Sequence, residues 1–232
     1  MGRASEWEVL ASKLVAPTLG IDLPGHGSSP VLLEEGPWFA ATCLLLEKTL
    51  IALEIPIVDI VGYSLGGRVA SHFAKRFPSK VRKIVLESSH PGLTDPTQRA
   101  ARLESDKKWA DQIEKDWPHV LDRWYEQPVF ESLRRHPGLQ LARNRKNDPF
   151  KLARAIEGFS LGHQSSHWHL DHPALFMTGA WDQKYRAIGT EWSQVSPQIQ
   201  LFIVECAGHN IHLEQPEAYL AAIARFLELD LS

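Results

Sequence analysis

The sequence predicts an α/β fold: a mostly parallel sheet with helices on both faces and a helical cap inserted between two of its strands. Two patterns predict it. Short apolar runs alternate with segments of helical periodicity, as parallel strands joined by helical crossovers require. One of those runs then meets a helical segment through a tight, Gly-bounded turn, Gly62-Tyr63-Ser64-Leu65-Gly66. At 232 residues the chain can bury a sizeable core.

Taken in order, residues 18–22 (TLGID) read as a strand closed by the turn Leu23-Pro24-Gly25-His26-Gly27. Residues 38–53 carry apolar positions at helical spacing, and 57–62 (IVDIVG) form a continuous apolar run suited to a buried strand. Residues 65–77 read as a helix stopped by Pro78, and 83–88 (KIVLES) as the next strand. Residues 174–178 (ALFMT) and 200–205 (QLFIVE) are again strand-like. Residues 216–229 close the chain as an amphipathic helix with Pro216 in its first turn. The stretch 93–168 differs, being rich in Trp, Arg and Lys and helical in period. We expect a core of 1–92 and 169–232, with 93–168 as the cap and the source of specificity.

Composition narrows the function classes. Hydrophobic residues make up 44% and charged residues 23%, and the net charge is −3. This gives no general affinity for nucleic acid or anionic membranes. No apolar run is long enough to span a bilayer, and Met1 to Glu6 lacks the apolar core of a secretory signal. The Met-Gly start has Glu at position 6, where N-myristoylation calls for Ser or Thr. Cys43 and Cys206 are too few for a disulfide framework and are expected to be reduced and buried. The expected location is the cytoplasm.

Gly62 to Gly66 fits G-x-S-x-G between a strand and a helix, the nucleophile elbow of the α/β-hydrolase fold. A serine on so sharp a turn needs neighbours without side chains, and the flanking glycines supply them. The turn sets Ser64 at the positive end of the following helix, with the Leu65 N–H as an oxyanion donor. The partners should follow in the order acid, then histidine. Asp182 lies just past 174–178 and His209 just past 200–205, both at carboxyl ends of strands where open α/β sheets build their sites. Asp59 and Glu205 lie inside strands and Asp171 precedes one. His26 belongs to a turn, where a local hydrogen bond is its expected role, and His212 to the approach of the last helix. The cluster His163, His167, His169, Asp171 and His172 has no metal-ligand spacing, so no metal is expected.

Arg68 falls one helical turn after Ser64 and on its face. The cap adds Arg102, Arg143 and Trp124-Tyr125. Guanidinium groups bind carboxylates in bidentate fashion, so a small polycarboxylate substrate is expected.

Three strings now carry a resemblance: VGYSLGGRVA at 61–70, ESSHPGL at 87–93 and WYEQPVF at 124–130. They are similar to those of the 2-succinyl-6-hydroxy-2,4-cyclohexadiene-1-carboxylate synthases of the menaquinone pathway, and the similarity runs from about Trp7 to the C-terminus. The resemblance implies a lyase that eliminates pyruvate from an enolpyruvyl-bearing cyclohexene carboxylate, with the serine acting as a base. It implies that Arg68, Arg102 and Arg143 receive the substrate carboxylates, and that Tyr63 and Trp124 line the pocket. It implies no cofactor and no metal, a monomer, and a product shared by menaquinone and phylloquinone synthesis.

The chain departs from the family at its start. The family opens with two strands and a third, central one ending in His-Gly-aromatic, which supplies a second oxyanion N–H. Residues 1–7 resemble the segment immediately after that motif. We therefore expect Met1 to be a truncated or misassigned start, with two sheet edges left without partners. Two other readings are carried forward: a serine hydrolase of esters or carbon–carbon bonds, and a non-catalytic binding protein of the same fold.

Overall fold

Runs rich in Val, Ile, Leu and Phe become four strands: β1 (Val58–Tyr63), β2 (Val81–Glu87), β3 (Ala174–Gly179) and β4 (Ile199–Val204). In this computed structural model, which describes residues 2–32, 36–117, 119–136 and 147–232, they form one parallel sheet in the order β1-β2-β3-β4. The central strands β2 and β3 are buried on both faces. This is why they read as unbroken apolar runs rather than as alternations.

Helices join and flank the strands. They are α1 (Glu8–Ala11), α2 (Trp38–Ala52), α3 (Leu65–Arg76), α4 (Pro96–Lys115), α5 (His119–Glu126), α6 (Glu131–Arg134), α7 (Pro149–Gly158), α8 (Gln183–Val195), α9 (Ile211–Glu214) and α10 (Pro216–Leu227). One face of the sheet packs Ile84, Leu86 and Phe176 against Phe73 of α3 and Trp192 of α8. The other packs Val85, Leu175 and Met177 against Leu10 and against Tyr219 and Ile223 of α10. Successive residues thus feed opposite cores, as the period of two demands.

Between β2 and β3 the described residues form helices. Asp95 caps α4 by accepting the N–H groups of Thr97 and Gln98, and Pro96 follows it at the first helical position. Asp148 and Pro149 repeat the device at α7. Ala110 and Ile113 of α4 then meet Leu152 and Ala153 of α7, which fixes these two helices as a pair.

Two expectations are corrected. Residues 18–22 form no strand. A strand is defined by its ladder, and no described strand lies between this segment and the outer edge of β1, so Leu19 and Ile21 stand exposed. Asp22 serves the local turn instead, accepting from Ala4 N–H at 2.7 Å and Ser28 N–H at 3.0 Å. The second concerns the thiols: Cys43 is buried, but Cys206 is exposed, in a turn after β4 where its φ is +56°. Arg143 lies outside the described residues.

Candidate active site

The turn from β1 into α3 holds Ser64 at φ 48°, ψ −105°, a strained conformation for a residue with a side chain. Three hydrogen bonds secure it: Ser64 N–H donates to the Glu87 carbonyl at 2.8 Å, and the Ser64 carbonyl accepts from Arg68 N–H at 3.1 Å and the Ser89 hydroxyl at 3.2 Å. A side chain at Gly62 would place its Cβ 2.5 Å from backbone atoms of Gly66 and Gly67. At Gly67 it would meet Ser89 at 2.7 Å, whereas at Gly66 nothing lies within 4 Å. The steric demand therefore falls on Gly62 and Gly67, not on both glycines of the motif as the sequence suggested. Leu65 opens α3, a helix of 12 residues, at its positive end.

Asp182 follows β3 and His209 follows β4, and the two meet. Asp182 Oδ2 accepts from His209 Nδ1 at 2.8 Å, with both side chains buried, while Oδ1 accepts Tyr185 N–H at 3.1 Å and caps α8. The second bond fixes the carboxylate and the first fixes the imidazole tautomer, leaving Nε2 to face outward. The Glu214 carboxylate accepts the N–H groups of Gly208 and Asn210 and so holds the loop on either side of His209.

Ser64 and His209 line one cavity of about 200 Å³ together with Tyr63, Leu65, Arg68, Arg102, Trp124, Phe130 and His212. Ser64 Oγ makes no hydrogen bond among the described residues. Contacts of this kind commonly tighten only around a substrate. Every described residue predicted for the site reaches the cavity except Asp182, which stands behind His209.

Two guanidinium groups, Arg68 and Arg102, line the cavity beside the carboxylates of Glu6 and Asp106. Arg68 is held by the Phe159 carbonyl at 2.9 Å and the Gln164 amide oxygen at 3.3 Å, neither of them charged. Burial first, and Arg102 second, pull its pKa down to about 10, so it remains a cation at neutral pH. Arg102 pairs through Nε with Asp106 at 2.7 Å. The Trp124 indole N–H is buried without a partner among the described residues, a cost of about 1–3 kcal/mol unless a ligand accepts it.

The histidine cluster seen in the sequence is dispersed: His167 Nε2 lies 3.0 Å from His72 Nδ1, whereas His172 Nε2 donates to the Pro78 carbonyl. His26 makes its local contact, Nδ1 to the Pro24 carbonyl at 3.3 Å, yet it also lines the cavity.

A sequence profile of the Alpha/beta hydrolase family matches residues 2–222. A 2-succinyl-6-hydroxy-2,4-cyclohexadiene-1-carboxylate synthase of Enterobacter sp. (strain 638) is 35% identical over 236 residues, covering 98% of this chain and 88% of that protein. Its namesake in Escherichia coli O7:K1 is 34% identical, covering 97% and 90%. Among solved structures, MenH from S. aureus superposes with a TM-score of 0.84 at 26% identity, covering 90% of this chain and 82% of that one. The chain belongs to the 2-succinyl-6-hydroxy-2,4-cyclohexadiene-1-carboxylate synthase family.

Membership of the synthase family puts the residues that sequence reasoning missed in context. Asp106 carries a signal that sequence can show, its i, i+4 spacing from Arg102. Glu214 could have been noticed as an acid near a histidine. The pairing of Glu87 with His212, 125 residues apart, had no local signal. Their carboxylate and imidazole form a second buried pair at the wall of the cavity.

Proposed function

We propose that the chain is a carbon–oxygen lyase that eliminates pyruvate from 2-succinyl-5-enolpyruvyl-6-hydroxy-3-cyclohexene-1-carboxylate, giving 2-succinyl-6-hydroxy-2,4-cyclohexadiene-1-carboxylate. The observation that carries this reading is the presence of two guanidinium groups, Arg68 and Arg102, on the cavity that Ser64 and His209 share. An esterase has no need of paired cations beside its serine; a substrate with several carboxylates does.

In this reading Ser64 takes the ring proton and passes it to His209, whose imidazolium Asp182 stabilises. The Leu65 N–H and the positive end of α3 favour the negative charge that develops as the proton leaves. Arg68, Arg102 and Arg143 receive the carboxylates, and Tyr63 and Trp124 complete the pocket. The elimination is redox-neutral and calls for no cofactor. The same reading assigns 93–168 as a cap over a core of 1–92 and 169–232. It takes the enzyme as a cytoplasmic monomer acting on a small polycarboxylate, with a product that serves menaquinone and phylloquinone synthesis alike. No described helix is long and apolar enough to cross a membrane.

The test is pyruvate release from the enolpyruvyl substrate, followed by coupled NADH oxidation. The wild type should release pyruvate and Ser64→Ala should lose at least ~10² in kcat. Equal rates for the two would remove Ser64 as the base. A burst of p-nitrophenol from simple esters without pyruvate release would favour the serine-hydrolase reading instead.

A further inference from the structure

The Glu87 carboxylate is fully buried at the end of β2 and is paired with His212: Nδ1 lies 2.8 and 2.9 Å from its two oxygens, and His212 N–H donates to Oε1 at 3.1 Å. The His212 ring is held between Trp7, stacked at 4.6 Å, and Tyr63, tilted at 4.8 Å. It lines the same cavity as Ser64 and His209. With Nδ1 committed to Glu87, Nε2 is the remaining ring nitrogen, and it bonds no protein group among the described residues. The cavity wall thus carries two carboxylate-backed imidazoles, Asp182–His209 and Glu87–His212, with Tyr63 touching both rings.

A buried acid–imidazole pair is a poor device for stability, because desolvation offsets most of its attraction. Such pairs concentrate where protons are moved. An elimination moves two: one leaves carbon, and one must meet the departing oxygen. We propose that His212, backed by Glu87, is the general acid of the cavity and protonates the leaving enolpyruvyl oxygen; this rests on the lyase reading above. The ring C–H proton passes to Ser64 and His209; the C–H electrons form a C=C at the carbon that lost the proton, and the pair of the existing ring C=C shifts one bond along to the carbon that carries the enolpyruvyl oxygen. The C–O electrons depart with oxygen, which takes the proton from His212 Nε2. The enol so released becomes pyruvate in water. His209 ends protonated and His212 neutral, and solvent exchange restores both.

The titratable groups facing His212 are Glu87 from β2, Tyr63 from β1 and Tyr219 from α10, with His209 beyond Tyr63 and Glu6 and His26 on the cavity wall. Glu214, on its own helix, is committed to Gly208 and Asn210. Burial pushes both phenols well above their ordinary range, so neither adds a charge beside the ring.

The test compares pH–rate profiles of pyruvate release for wild type, His212→Gln and Glu87→Gln. An elimination served by one base and one acid should give the wild type a bell-shaped profile, with an acid limb and an alkaline limb. His212→Gln should lose the alkaline limb and ~10²–10⁴ in kcat, with KM changing far less. Glu87→Gln should lower kcat with KM changing far less, since the carboxylate that orients the His212 ring through Nδ1 is gone. His212→Gln with the wild-type kcat and an intact alkaline limb would overturn the proposal. Should that variant fail to fold, the double variant Glu87→Gln/His212→Gln leaves no uncompensated buried charge and carries the same kinetic test. Imidazole ¹⁵N spectra with pyruvate as the probe give a second readout: His212 Nε2 should respond, and a resonance indifferent to pyruvate overturns the assignment. Failure of the lyase reading looks different, as a wild-type chain that releases no pyruvate; the imidazole spectrum still decides whether His212 meets a pyruvyl oxygen.

Discussion

At Gly62 a single missing methyl group decides whether the elbow can form. A Cβ there would press into the backbone of the first turn of α3 at 2.5 Å, and backbone has no rotamer with which to yield. Gly62→Ala is therefore expected to destabilise by at least 1–3 kcal/mol, the usual range for overpacking, and to release Ser64 from its strained conformation. Gly66→Ala should be tolerated and can gain up to ~1 kcal/mol from helix propensity, because nothing stands within 4 Å of the new atom. Thermal melts of the two variants read the contrast directly; equal loss in both would show that the elbow is packed otherwise. At this scale the sequence was informative about residue identity and less so about cause. Ser64, Asp182 and His209 stood out because strand ends deliver them, but the crowding at Gly67 is visible only once Ser89 is in place.

Elements bring in what residues alone do not. Helix α4 places Arg102 on the cavity and Asp106 one turn later, and the 2.7 Å bond between them aims the guanidinium. Asp106→Asn should loosen that aim, raising KM for the polyanionic substrate while leaving kcat nearly unchanged. A steady-state KM against kcat split checks this, and a fall in kcat with unchanged KM would contradict it. Strands β1 to β4 were legible because each is a short apolar run bounded by turn residues. Residues 18–22 have the same local character and form no strand, since a ladder depends on a neighbour that local sequence does not contain. The pairing of Glu87 with His212 was hidden for the same reason: β2 and α9 meet only after the sheet has formed.

The whole molecule shows its design in its response to acid. Burial lowers the pKa of His26 and His167 to about 4, and of His72 and His90 to about 3. The His90 tautomer supports this, since Nδ1 accepts Gly92 N–H at 2.9 Å and must be unprotonated to do so. All four are neutral in the folded chain, whereas in the unfolded chain each takes up a proton near its ordinary value of about 6.5. The unfolded state therefore binds more protons as the pH falls below that value. Stability should decline progressively from about pH 6.5 toward 4, each histidine contributing at most ~1.4 kcal/mol per pH unit. Melting temperatures across that window should fall with pH, and His72→Phe, which keeps a ring against Phe39, should flatten the slope. A melting temperature independent of pH there would show that these imidazoles are solvated.

The two cysteines differ in a way that makes the molecule experimentally addressable. Burial pushes the Cys43 thiol up to about 11 and seals it in the core, whereas Cys206 stands at the surface of the turn between β4 and His209. A maleimide dye or spin label at neutral pH would therefore attach at one place. That place is three residues from His209, so the label would report on the loop that carries the histidine as ligands enter and leave.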